Sequence, residues 1–450
     1  MIFKKFDLKI KDKILPFNKT ISVDADKSIS IRSFLIGAIS KNISKAYNVL
    51  ESDDVLSTIK CLKKLGVKIL KEKQGKYLIY GKGLGSLYAK KNTELFFGNS
   101  GTLARLIIGI LSTTPRIKVR INGDHSLNKR SMKNLINIMT RFGATFLPKK
   151  KYNFPLKLIS SEMPIGINYN AGVSAQLKSA VILAGLNSFG STKVIEKKES
   201  RDHTENILRD NKKILNIINK KKRIINVFGK KELDPININV SNDPSSAAFF
   251  SALTLLNKKS SLTIKNVGLN SKRIGFYQLL KKQGANIKFK NLKKNNNETS
   301  GDILIKSHKL KPIKASKSYY TIMTDEYPIL FAMSALIKGV SKFRGIGDLA
   351  NKESNRIKEM QNVLEQIDVK TRILKDGFKI YGRGMIDASK KKIKVPNLGD
   401  HRICMSAFIL AVLTGAQTNI KNFETVFTSS PSFLKIMKSL GAKFEIHKKK

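Results

Sequence analysis

One sequence motif is repeated along the chain, and it limits the possible folds more than any other feature does. An amphipathic helix, a Gly-Ala pair or a near match, and a β-branched segment recur at intervals of about 70–85 residues. Copies occur as CLKKLGVKIL at 61–70, IMTRFGATFL at 138–147, LLKKQGANIKF at 279–289, VLEQIDVKTRIL at 363–374 and MKSLGAKFEI at 437–446, with a degraded copy, NKKILNIINKKKRI, at 211–224. A glycine after a helix is typical of a left-handed C-cap, and the β-branched run that follows predicts a strand. Six copies of one helix–strand element predict a pseudo-symmetric α/β fold.

The length indicates two domains of three repeats each. A chain of 450 residues exceeds the size of one ordinary hydrophobic core. The segment PININVSNDPSSAAFF at 235–250 has the Pro, Asn and Asp of a crossover that leads into a helix. A second crossover near 20–26 would let the N-terminal strand pair within the C-terminal domain. We therefore predict one domain of residues 1–22 with 244–450 and a second of residues 23–243.

The formal charge of +52 at pH 7 raises the question of a nucleic-acid partner. The lysines are spread over every segment, and aromatic residues are not interleaved with them as on a platform for single strands. We interpret the charge as a background preference for lysine combined with anionic substrates, and predict no nucleic-acid partner. A basic nucleic-acid-binding protein stays open as an alternative.

Arginine is used more selectively than lysine. The chain has 15 arginines against 70 lysines, and six of the 15 fall within the short motifs described next or in the helix that directly follows one of them. These six are Arg32, Arg105, Arg130, Arg201, Arg356 and Arg402. Because lysine would satisfy a simple demand for charge, arginine here indicates a demand for planar, forked donors, which carboxylate and phosphate groups require.

The composition also bears on location and cofactors. The two cysteines, Cys61 and Cys404, make neither a disulfide framework nor a zinc cluster. No run of about 18 apolar residues predicts a membrane span, and the first ten residues lack the apolar core of a secretory signal. We expect a cytoplasmic protein with no metal and no membrane partner.

Several predicted helices begin with hydroxyl or amide residues beside a basic one. In DKSISIR at 26–32, Ser28 and Ser30 can cap a helix or bind an anion at its start, with Lys27 and Arg32 at the same end. An ordinary capped helix is the alternative reading of this motif.

Two glycine- and serine-containing motifs have the same character. FGNSGT at 97–102 places a turn before a helix, so that backbone N–H groups can approach a ligand. It lacks the Gly-Lys-Ser/Thr of a P-loop, which argues against a nucleoside triphosphate; a plain glycine turn is the alternative. In SAQLKSAVILAGL at 174–186, Ser174 and Gln176 begin an apolar helix that offers another anion site.

Three motifs combine acidic, basic and imidazole side chains. In GDHSLNKRSM at 123–132 we predict that Arg130 lies in the first turn of the helix of the second repeat. In ESRDHT at 199–204 we interpret His203 as a structural hydrogen-bonding residue. DHR at 400–402 opens another apolar helix.

Two acidic motifs lie in the C-terminal half. TDEYP at 324–328 leads an apolar helix, where carboxylates are usually partners of the helix dipole but can act as a general base in a basic cleft. In NKESNR at 351–356, Lys352 and Arg356 are predicted to share a helix face beside Glu353, and a solvated face is the alternative. Together the motifs predict helix N-termini that converge on one anion-rich cleft.

These motifs, in this order, resemble those of the 5-enolpyruvylshikimate-3-phosphate (EPSP) synthase family. The resemblance covers essentially the whole chain, and its segments are DKSISIR, GNSGT, GDHSLNKR, SAQLKSA, SRDHTE, TDEYP, KESNR, DHR and TSSPSF. It is greatest to the branch that carries Ser-Ala-Gln and Ser-Arg-Asp-His-Thr-Glu. The resemblance implies a two-domain inside-out α/β barrel of six βαβαββ repeats, with the active-site cleft between the domains.

The resemblance also implies a reaction and its residues. The enolpyruvyl group of phosphoenolpyruvate is transferred to the 5-hydroxyl of shikimate 3-phosphate through a tetrahedral ketal, with release of phosphate and without any cofactor. The residues implied for shikimate 3-phosphate are Lys27, Ser28, Arg32, Ser174, Ala175, Gln176, Arg201, Asp325 and Lys352. Those implied for phosphoenolpyruvate are Lys27, Gly101, Arg130, Gln176, Arg356 and Arg402. Asp325 is implied as acceptor of the hydroxyl proton, and Glu353 with Lys27 as the groups that manage the proton at the enolpyruvyl methylene.

Two positions depart from the family pattern, because the usual Arg-Pro is Arg130-Ser131 here and the usual aspartate before the last arginine of KESNR is Asn355. Neither departure removes an implied ligand. The nearest alternative is the sister enolpyruvyl transferase that acts on UDP-N-acetylglucosamine with a loop cysteine. Cys61, in a predicted helix, and Cys404, after DHR, do not fit such a loop. We predict a monomer whose partners are its two small substrates.

Overall fold

Residues 5–219 and 221–448 are described by the structure, a computed structural model. Its strands in chain order are β1 (Phe6–Ile10), β2 (Asn18–Ile21), β3 (Ile43–Tyr47), β4 (Lys68–Lys73), β5 (Lys76–Tyr80), β6 (Glu94–Phe96), β7 (Lys118–Asn122), β8 (Thr145–Leu147), β9 (Leu156–Ile159), β10 (Asn168–Ala171), β11 (Ser191–Glu196), β12 (Leu215–Asn219), β13 (Arg223–Phe228), β14 (Asn237–Asn239), β15 (Ser261–Gly268), β16 (Ile287–Asn295), β17 (Glu298–Lys306), β18 (Lys314–Ala315), β19 (Gly339–Arg344), β20 (Thr371–Leu374), β21 (Gly377–Gly382), β22 (Lys392–Val395), β23 (Gln417–Ile420) and β24 (Glu445–Lys448).

The helices connect these strands. They are α1 (Lys27–Ile39), α2 (Asp53–Lys64), α3 (Gly101–Thr113), α4 (His125–Lys129), α5 (Lys133–Arg141), α6 (Ala175–Leu186), α7 (His203–Leu208), α8 (Pro244–Leu256), α9 (Gly275–Lys282), α10 (Tyr327–Ala335), α11 (Arg356–Glu365), α12 (His401–Thr414) and α13 (Phe433–Ser439). Short 3₁₀ turns cover Lys317–Ile322, Gly347–Asn351 and Phe423–Thr428.

The strands form six four-stranded sheets with one common pattern. The sheet orders are β14-β3-β5-β4, β6-β7-β9-β8, β10-β11-β13-β12, β2-β15-β17-β16, β18-β19-β21-β20 and β22-β23-β1-β24. In every sheet the first two strands of this order are parallel and the third is antiparallel to the second. A parallel pair needs a long crossover, and a helix such as α3, α6, α10 or α12 supplies it. The predicted mixed α/β class is confirmed.

The chain divides into two units. Unit 1 contains the chain up to Asp24, Ser241–Lys293 and the chain from Thr299 onward, and unit 2 contains Ala25–Val240 with 294–298. Each unit holds three of the sheets and its own buried apolar cluster. We retain the two predicted domains as a proposal, with boundaries that lie two and three residues from these divisions.

The helices are of two kinds, and their sequences explain why. Helices α8 and α12 are apolar on all sides and bury every residue along their length, as a helix inside a core does. Helices α2, α5, α9 and α11 bury one face and carry charged residues on the other. These four belong to the repeated motif seen in the sequence. No helix within the described ranges combines the length and the apolar character needed to cross a bilayer.

The predicted C-caps are confirmed at the four glycines that follow helices of the repeat. Gly66, Gly143, Gly284 and Gly441 have φ of 85°, 94°, 89° and 98°, a region that favours glycine. The degraded sixth copy is wrong as a helix at 211. The helix of that copy is α7, and the described part of 211–224 includes β12 and the start of β13. Its β-branched isoleucines favour strands, which overrides the apparent helical spacing.

Candidate active site

Helix α1 in unit 2 is capped by Asp26, not by a serine. Its Oδ1 accepts a hydrogen bond from Ile29 N at 2.9 Å. Ser30 is fully buried, where its Oγ donates to Asp26 O and accepts from Leu50 N. The prediction that Ser30 caps the helix or binds an anion is therefore wrong, because that hydroxyl is used inside the fold. Ser28 keeps partial exposure at the helix start.

Arg32 is held by three hydrogen bonds and keeps two donors. It is 4% exposed, with Nε donating to Thr204 Oγ1 at 2.8 Å and Nη2 donating to Ser179 Oγ at 3.1 Å. Nη1 donates to Ser28 O at 2.9 Å. These bonds use three of the five N–H groups of a guanidinium and leave one on each Nη. A pair of positioned donors of this kind matches a carboxylate or a phosphate.

The electrostatics of Arg32 place Arg201 near it. The pKa of the Arg32 guanidinium is lowered to about 10, mainly by burial, and the charge of Arg201 acts in the same direction. Asp26, Glu205 and Glu298 act in the opposite direction on that pKa. Two arginines thus share one region of unit 2, where an anion would relieve their mutual repulsion. Lys27, at the start of the same helix, lies with Nζ 3.1 Å from Asp54 Oδ2.

The starts of α3 and α6 are joined by side-chain hydrogen bonds. Arg105 Nη1 donates to Gln176 Oε1 at 2.9 Å and to Gly101 O at 3.0 Å. Gln176 Nε2 donates to Thr102 Oγ1 at 2.9 Å. Ser174 caps α6 as predicted, since its Oγ accepts from Leu177 N at 3.4 Å.

Gly101 lies against two arginines. A Cβ atom at this position would lie 2.6 Å from Arg105 Nη1 and 3.1 Å from Arg130 Nη1. The absence of a side chain therefore lets both guanidinium groups approach the start of α3. The structure brings Gly101, Arg130 and Gln176 together, three of the residues predicted for one ligand.

Arg130 is not in the first turn of a repeat helix, and that prediction is wrong. It follows α4 in an extended conformation, and α5 begins three residues later at Lys133. Residues 125–129 form their own short helix because Asp124 caps it, with Oδ1 accepting from Leu127 N at 2.8 Å. Arg130 Nη2 donates to Asn99 Oδ1 at 2.9 Å. In place of the family's proline, Ser131 Oγ accepts from Lys133 N at 3.3 Å.

Arg356 is the centre of a second cluster, in unit 1. It is 1% exposed and donates from Nε to Asp400 Oδ2 at 2.9 Å, from Nη2 to Glu353 Oε2 at 2.6 Å and from Nη1 to Asp325 Oδ1 at 3.5 Å. Burial by itself would lower the pKa of the guanidinium, but these three carboxylates hold it well above its ordinary value. Arg356 is therefore a fixed positive charge at neutral pH.

The three carboxylates around Arg356 differ in exposure. The Asp400 side chain is fully buried, while those of Asp325 and Glu353 are 24% and 22% exposed. The adjacent Glu326 is buried and pairs with Arg273 at 3.1 Å. The acidic pair of TDEYP thus has one structural member and one that can reach a ligand.

Lys352 and Arg356 do not share a helix face, so that prediction is wrong. Residues 352–354 lie between the 3₁₀ turn Gly347–Asn351 and α11 and are not helical. Helix α11 begins at Arg356 because Asn355 Oδ1 caps it, accepting from Lys358 N at 3.2 Å. Lys352 Nζ instead contacts Asp348 Oδ2 at 2.7 Å. Burial would raise the pKa of Asp348, but Lys352 and the Tyr320 hydroxyl hold it below its usual range.

Arg402 is a buried cation with unused donors. It is 4% exposed and its guanidinium lies 5.8 Å from the centroid of the Phe249 ring. Its backbone N donates to Asp400 Oδ1 at 2.9 Å, yet its Nε and Nη1 have no hydrogen-bond partner among the described residues. Buried donors of this kind are stable only when paired, which indicates an anionic ligand.

Neither cysteine belongs to either cluster. Both are 1% exposed, and burial raises the pKa of the Cys61 thiol to about 12 and that of Cys404 well above its ordinary value. We predict that neither thiol reacts in the native protein, since the thiolate is the reactive form. Titration with a chromogenic disulfide should detect no thiol before denaturation and two after it. A thiol that titrates in the native state, with loss of activity, would contradict this prediction.

The residues that position the predicted ligand-binding side chains were not predicted from the sequence. Those with direct contacts are Asp54, Arg105, Ser179, Thr204 and Asp400. Asp400 lies inside the DHR motif and Arg105 lies three residues after FGNSGT, so their positions gave a signal. Thr204 lies beside His203, whose Nδ1 is 2.8 Å from Glu298 Oε1, in keeping with the structural role expected of that histidine. Within the described residues, no group of three or more His, Cys, Asp or Glu side chains is arranged to hold a metal ion.

Comparison with known proteins identifies the family. A sequence model described as EPSP synthase (3-phosphoshikimate 1-carboxyvinyltransferase) matches residues 11–437. The 3-phosphoshikimate 1-carboxyvinyltransferase of Paramagnetospirillum magneticum is 36% identical over 431 residues, 95% of this chain and 96% of the relative. That of Zymomonas mobilis is 36% identical over 441 residues, 97% of each.

Solved structures agree with the sequence relatives. The EPSP synthase of Acinetobacter baumannii superposes with a TM-score of 0.84 at 32% identity and covers 98% of this chain and 99% of its own. The enolpyruvyl transferase NikO of Streptomyces tendae has a TM-score of 0.77 at 12% identity, which shows a shared fold alone. With a family match over nearly its whole length and two arginine-centred clusters at the matching motifs, the chain belongs to the EPSP synthase family.

Proposed function

We propose how the residues of this chain carry out its reaction, the transfer of the enolpyruvyl group of phosphoenolpyruvate to the 5-hydroxyl of shikimate 3-phosphate with release of phosphate. This is the activity of a 3-phosphoshikimate 1-carboxyvinyltransferase, a step of aromatic amino acid biosynthesis. The observation that carries the proposal is that Arg32 and Arg402 are both buried and both keep N–H donors for an anion.

Shikimate 3-phosphate is assigned to residues of both clusters. In unit 2 it is bound by Lys27, Ser28, Arg32, Ser174, Ala175, Gln176 and Arg201, and in unit 1 by Asp325 and Lys352. The Arg32 donor pair and the nearby Arg201 supply fixed positive charge, and the start of α6 adds backbone N–H groups. Phosphate and carboxylate groups on one substrate account for this number of cations.

Phosphoenolpyruvate is assigned to Lys27, Gly101, Arg130, Gln176, Arg356 and Arg402. The close approach of Arg130 to Gly101 and the unused donors of Arg402 support this assignment. Arg356 contributes less as a free donor than as the group that holds Asp325 and Glu353 in place.

Proton transfer is assigned to the two partly exposed carboxylates beside Arg356. Asp325 accepts the proton of the 5-hydroxyl as that oxygen attacks the enolpyruvyl carbon. Glu353, together with Lys27, adds a proton to the methylene during addition and removes one during elimination of phosphate. The burial of Asp400 excludes it from this chemistry and leaves it as an anchor for Arg356.

Replacing Arg32 by lysine tests the assignment of the unit 2 cluster. Lysine keeps the charge but loses the planar donor pair, and a charge-assisted hydrogen bond contributes about 1.5–3 kcal/mol. We therefore expect shikimate 3-phosphate to bind about 10- to 100-fold more weakly by isothermal titration calorimetry. Arg120→Lys, at an exposed position of β7, is the matched control and should bind normally. Equal affinity in Arg32→Lys and the native protein would remove Arg32 from the site.

The setting follows from the same proposal. We propose that the protein acts in the cytoplasm as a monomer, with its two small substrates as partners and without nucleic acid. The high lysine content suits retention of anionic substrates. A nucleic-acid-binding protein would instead keep its affinity for RNA in Arg32→Lys, because scattered lysines would supply the contacts.

A further inference from the structure

A buried network of charged residues in unit 2 includes Asp202 and Glu205 of the SRDHTE segment. Lys178 is fully buried, and its Nζ is 2.9 Å from Glu196 Oε1 and 2.7 Å from Glu205 Oε1. Arg223 Nη1 is 2.8 Å from Glu196 Oε2 and 3.4 Å from Glu205 Oε1. Asp202 adds a third carboxylate, 3.8 Å from Arg223 Nη2.

This network is unusual in its degree of burial. The side chains of Lys178, Glu196 and Glu205 are 0% exposed. Burial by itself would raise the pKa of Glu196, but Lys178 and Arg223 hold it below its usual range. Apolar residues of similar size are often at least as stabilising as a buried ion network. A contribution to stability is therefore a weak explanation for its presence.

The network is connected to Arg201 through the residue before it. The backbone N and Oγ of Ser200 donate to Glu196 Oε1 at 3.1 and 3.0 Å. Lys178 Nζ donates to Ser200 O at 3.4 Å. Both the N–H and the C=O of Ser200 are thus bonded to network members, and this sets the direction in which the chain enters Arg201.

The connection to Arg32 runs through two adjacent hydroxyl groups. Ser179 follows Lys178 in the sequence, and Thr204 precedes Glu205. Thr204 Oγ1 donates to Ser179 Oγ at 2.8 Å, and these two oxygens accept from Nε and Nη2 of Arg32. The two residues of the 2.7 Å contact, Lys178 and Glu205, are therefore the sequence neighbours of the two hydroxyl residues that accept hydrogen bonds from Arg32.

We propose that Lys178 and Glu205 are positioning residues for the phosphorylated, carboxylate-bearing substrate. Their ion pair sets the spacing of Ser179 and Thr204, which orients the two remaining donors of Arg32, while Glu196 fixes Ser200 ahead of Arg201. The inference rests on the proposed role of Arg32 and Arg201 in binding shikimate 3-phosphate. It assigns no contact between the network and the substrate.

Two variants of the Lys178–Glu205 pair, one that neutralises Glu205 and one that neutralises both residues, separate an effect on substrate positioning from an effect on stability. Glu205→Gln leaves a buried ammonium with one carboxylate fewer, so both melting temperature and substrate binding should fall. In Glu205→Gln the ammonium of Lys178 keeps only Glu196 as a partner. The double variant Lys178→Met/Glu205→Gln removes both charges of the pair and leaves Arg223 beside Glu196, so part of the melting temperature should return. The affinity for shikimate 3-phosphate should stay about 10- to 100-fold below normal in both variants, because the donors of Arg32 are no longer aimed. The KM for phosphoenolpyruvate should change far less than that for shikimate 3-phosphate.

Thr204→Val is an independent test of the proposal, because it leaves the Lys178–Glu205 ion pair unchanged. It removes the oxygen that accepts from Arg32 Nε and should weaken shikimate 3-phosphate binding to a similar extent, even if Glu205→Gln does not fold. Glu232→Gln, at an exposed ion pair with Lys41, is the control for loss of a carboxylate from unit 2. Calorimetry with shikimate 3-phosphate alone is the measurement.

These experiments distinguish failure of the positioning role from failure of the proposed function. If the native protein binds shikimate 3-phosphate and Arg32→Lys binds it about 10- to 100-fold more weakly, the proposed site stands. Normal affinity in folded Thr204→Val, or affinity that returns together with melting temperature in the double variant, then overturns the positioning role. If the native protein itself shows no binding, the proposed function fails, and this inference fails with it.

Discussion

Replacing Asp325 by asparagine is expected to lower kcat by about 10²–10⁴-fold, the usual contribution of a positioned general base. Asparagine keeps the shape of the side chain and a hydrogen bond to the 5-hydroxyl, but it cannot take that proton. Substrate binding should therefore survive, and the melting temperature should change little, because Arg356 keeps Asp400 and Glu353 as partners. Steady-state kinetics, calorimetry and a melting curve on one preparation measure all three quantities.

The matched control for this change is Asp368→Asn. Asp368 also lies in unit 1, pairs with Lys391 at an exposed position and has a positive φ that asparagine adopts readily. Its turnover should be normal. If Asp325 were only a charge near the start of α10, its replacement would lower stability by about 0.3–1 kcal/mol and leave turnover intact. Near-normal turnover in folded Asp325→Asn would remove this residue from the mechanism.

Arg356→Met is expected to lower the free energy of unfolding by about 3–5 kcal/mol, the usual effect of removing one partner from a buried ion pair. Asp400 would be left as a fully buried carboxylate without its cation. Enzymatic activity should also be lost, since Asp325 and Glu353 would lose the group that orients them. Urea unfolding followed by circular dichroism measures the first effect.

Two comparisons test the reason for this loss. Arg372→Met makes the same substitution at an exposed position of β20 and should change stability by less than about 0.5 kcal/mol. The double variant Arg356→Met/Asp400→Asn should be more stable than the sum of the single changes predicts, because it no longer buries an unpaired charge. An Arg356→Met protein as stable as the native one would show that the cluster is solvated rather than buried.

The repeat made much of the fold predictable from the sequence. A helix that ends at glycine and leads into a strand is a local pattern, and at Gly66, Gly143 and Gly284 the backbone has the expected left-handed conformation. The sixth copy failed because its helical spacing was made of isoleucines that fit a strand as well. Local periodicity does not decide whether such a segment is a helix or a strand. The pairing of β12 with β13, which in turn pairs with β11, decides it.

Helix starts near the site were predicted less well. Capping depends on which of several polar side chains reaches a free N–H, and Asp26 did so where serines were expected. Asn355 and Asp124 likewise begin helices at positions that moved Lys352 and Arg130 off the predicted faces. Each of these shifts is only a few residues, yet it changes which side chains face one another.

The network around Lys178 could not be found from the sequence. Lys178 stands in an apolar helix in a chain of 70 lysines, so nothing marks it as buried. Glu205 and Arg223 are distant from it in the sequence, and only the packing of α6, α7, β11 and β13 brings their charges together. Long-range burial of charge is a property of the assembled fold.

Release of inorganic phosphate, measured with both substrates and with each omitted in turn, tests whether the protein transfers the enolpyruvyl group. The account predicts one phosphate for each shikimate 3-phosphate consumed, no release when either substrate is absent, and release at least about 100-fold slower in Asp325→Asn. Release at the same rate without shikimate 3-phosphate, or no release with both substrates present and the protein folded, would contradict it.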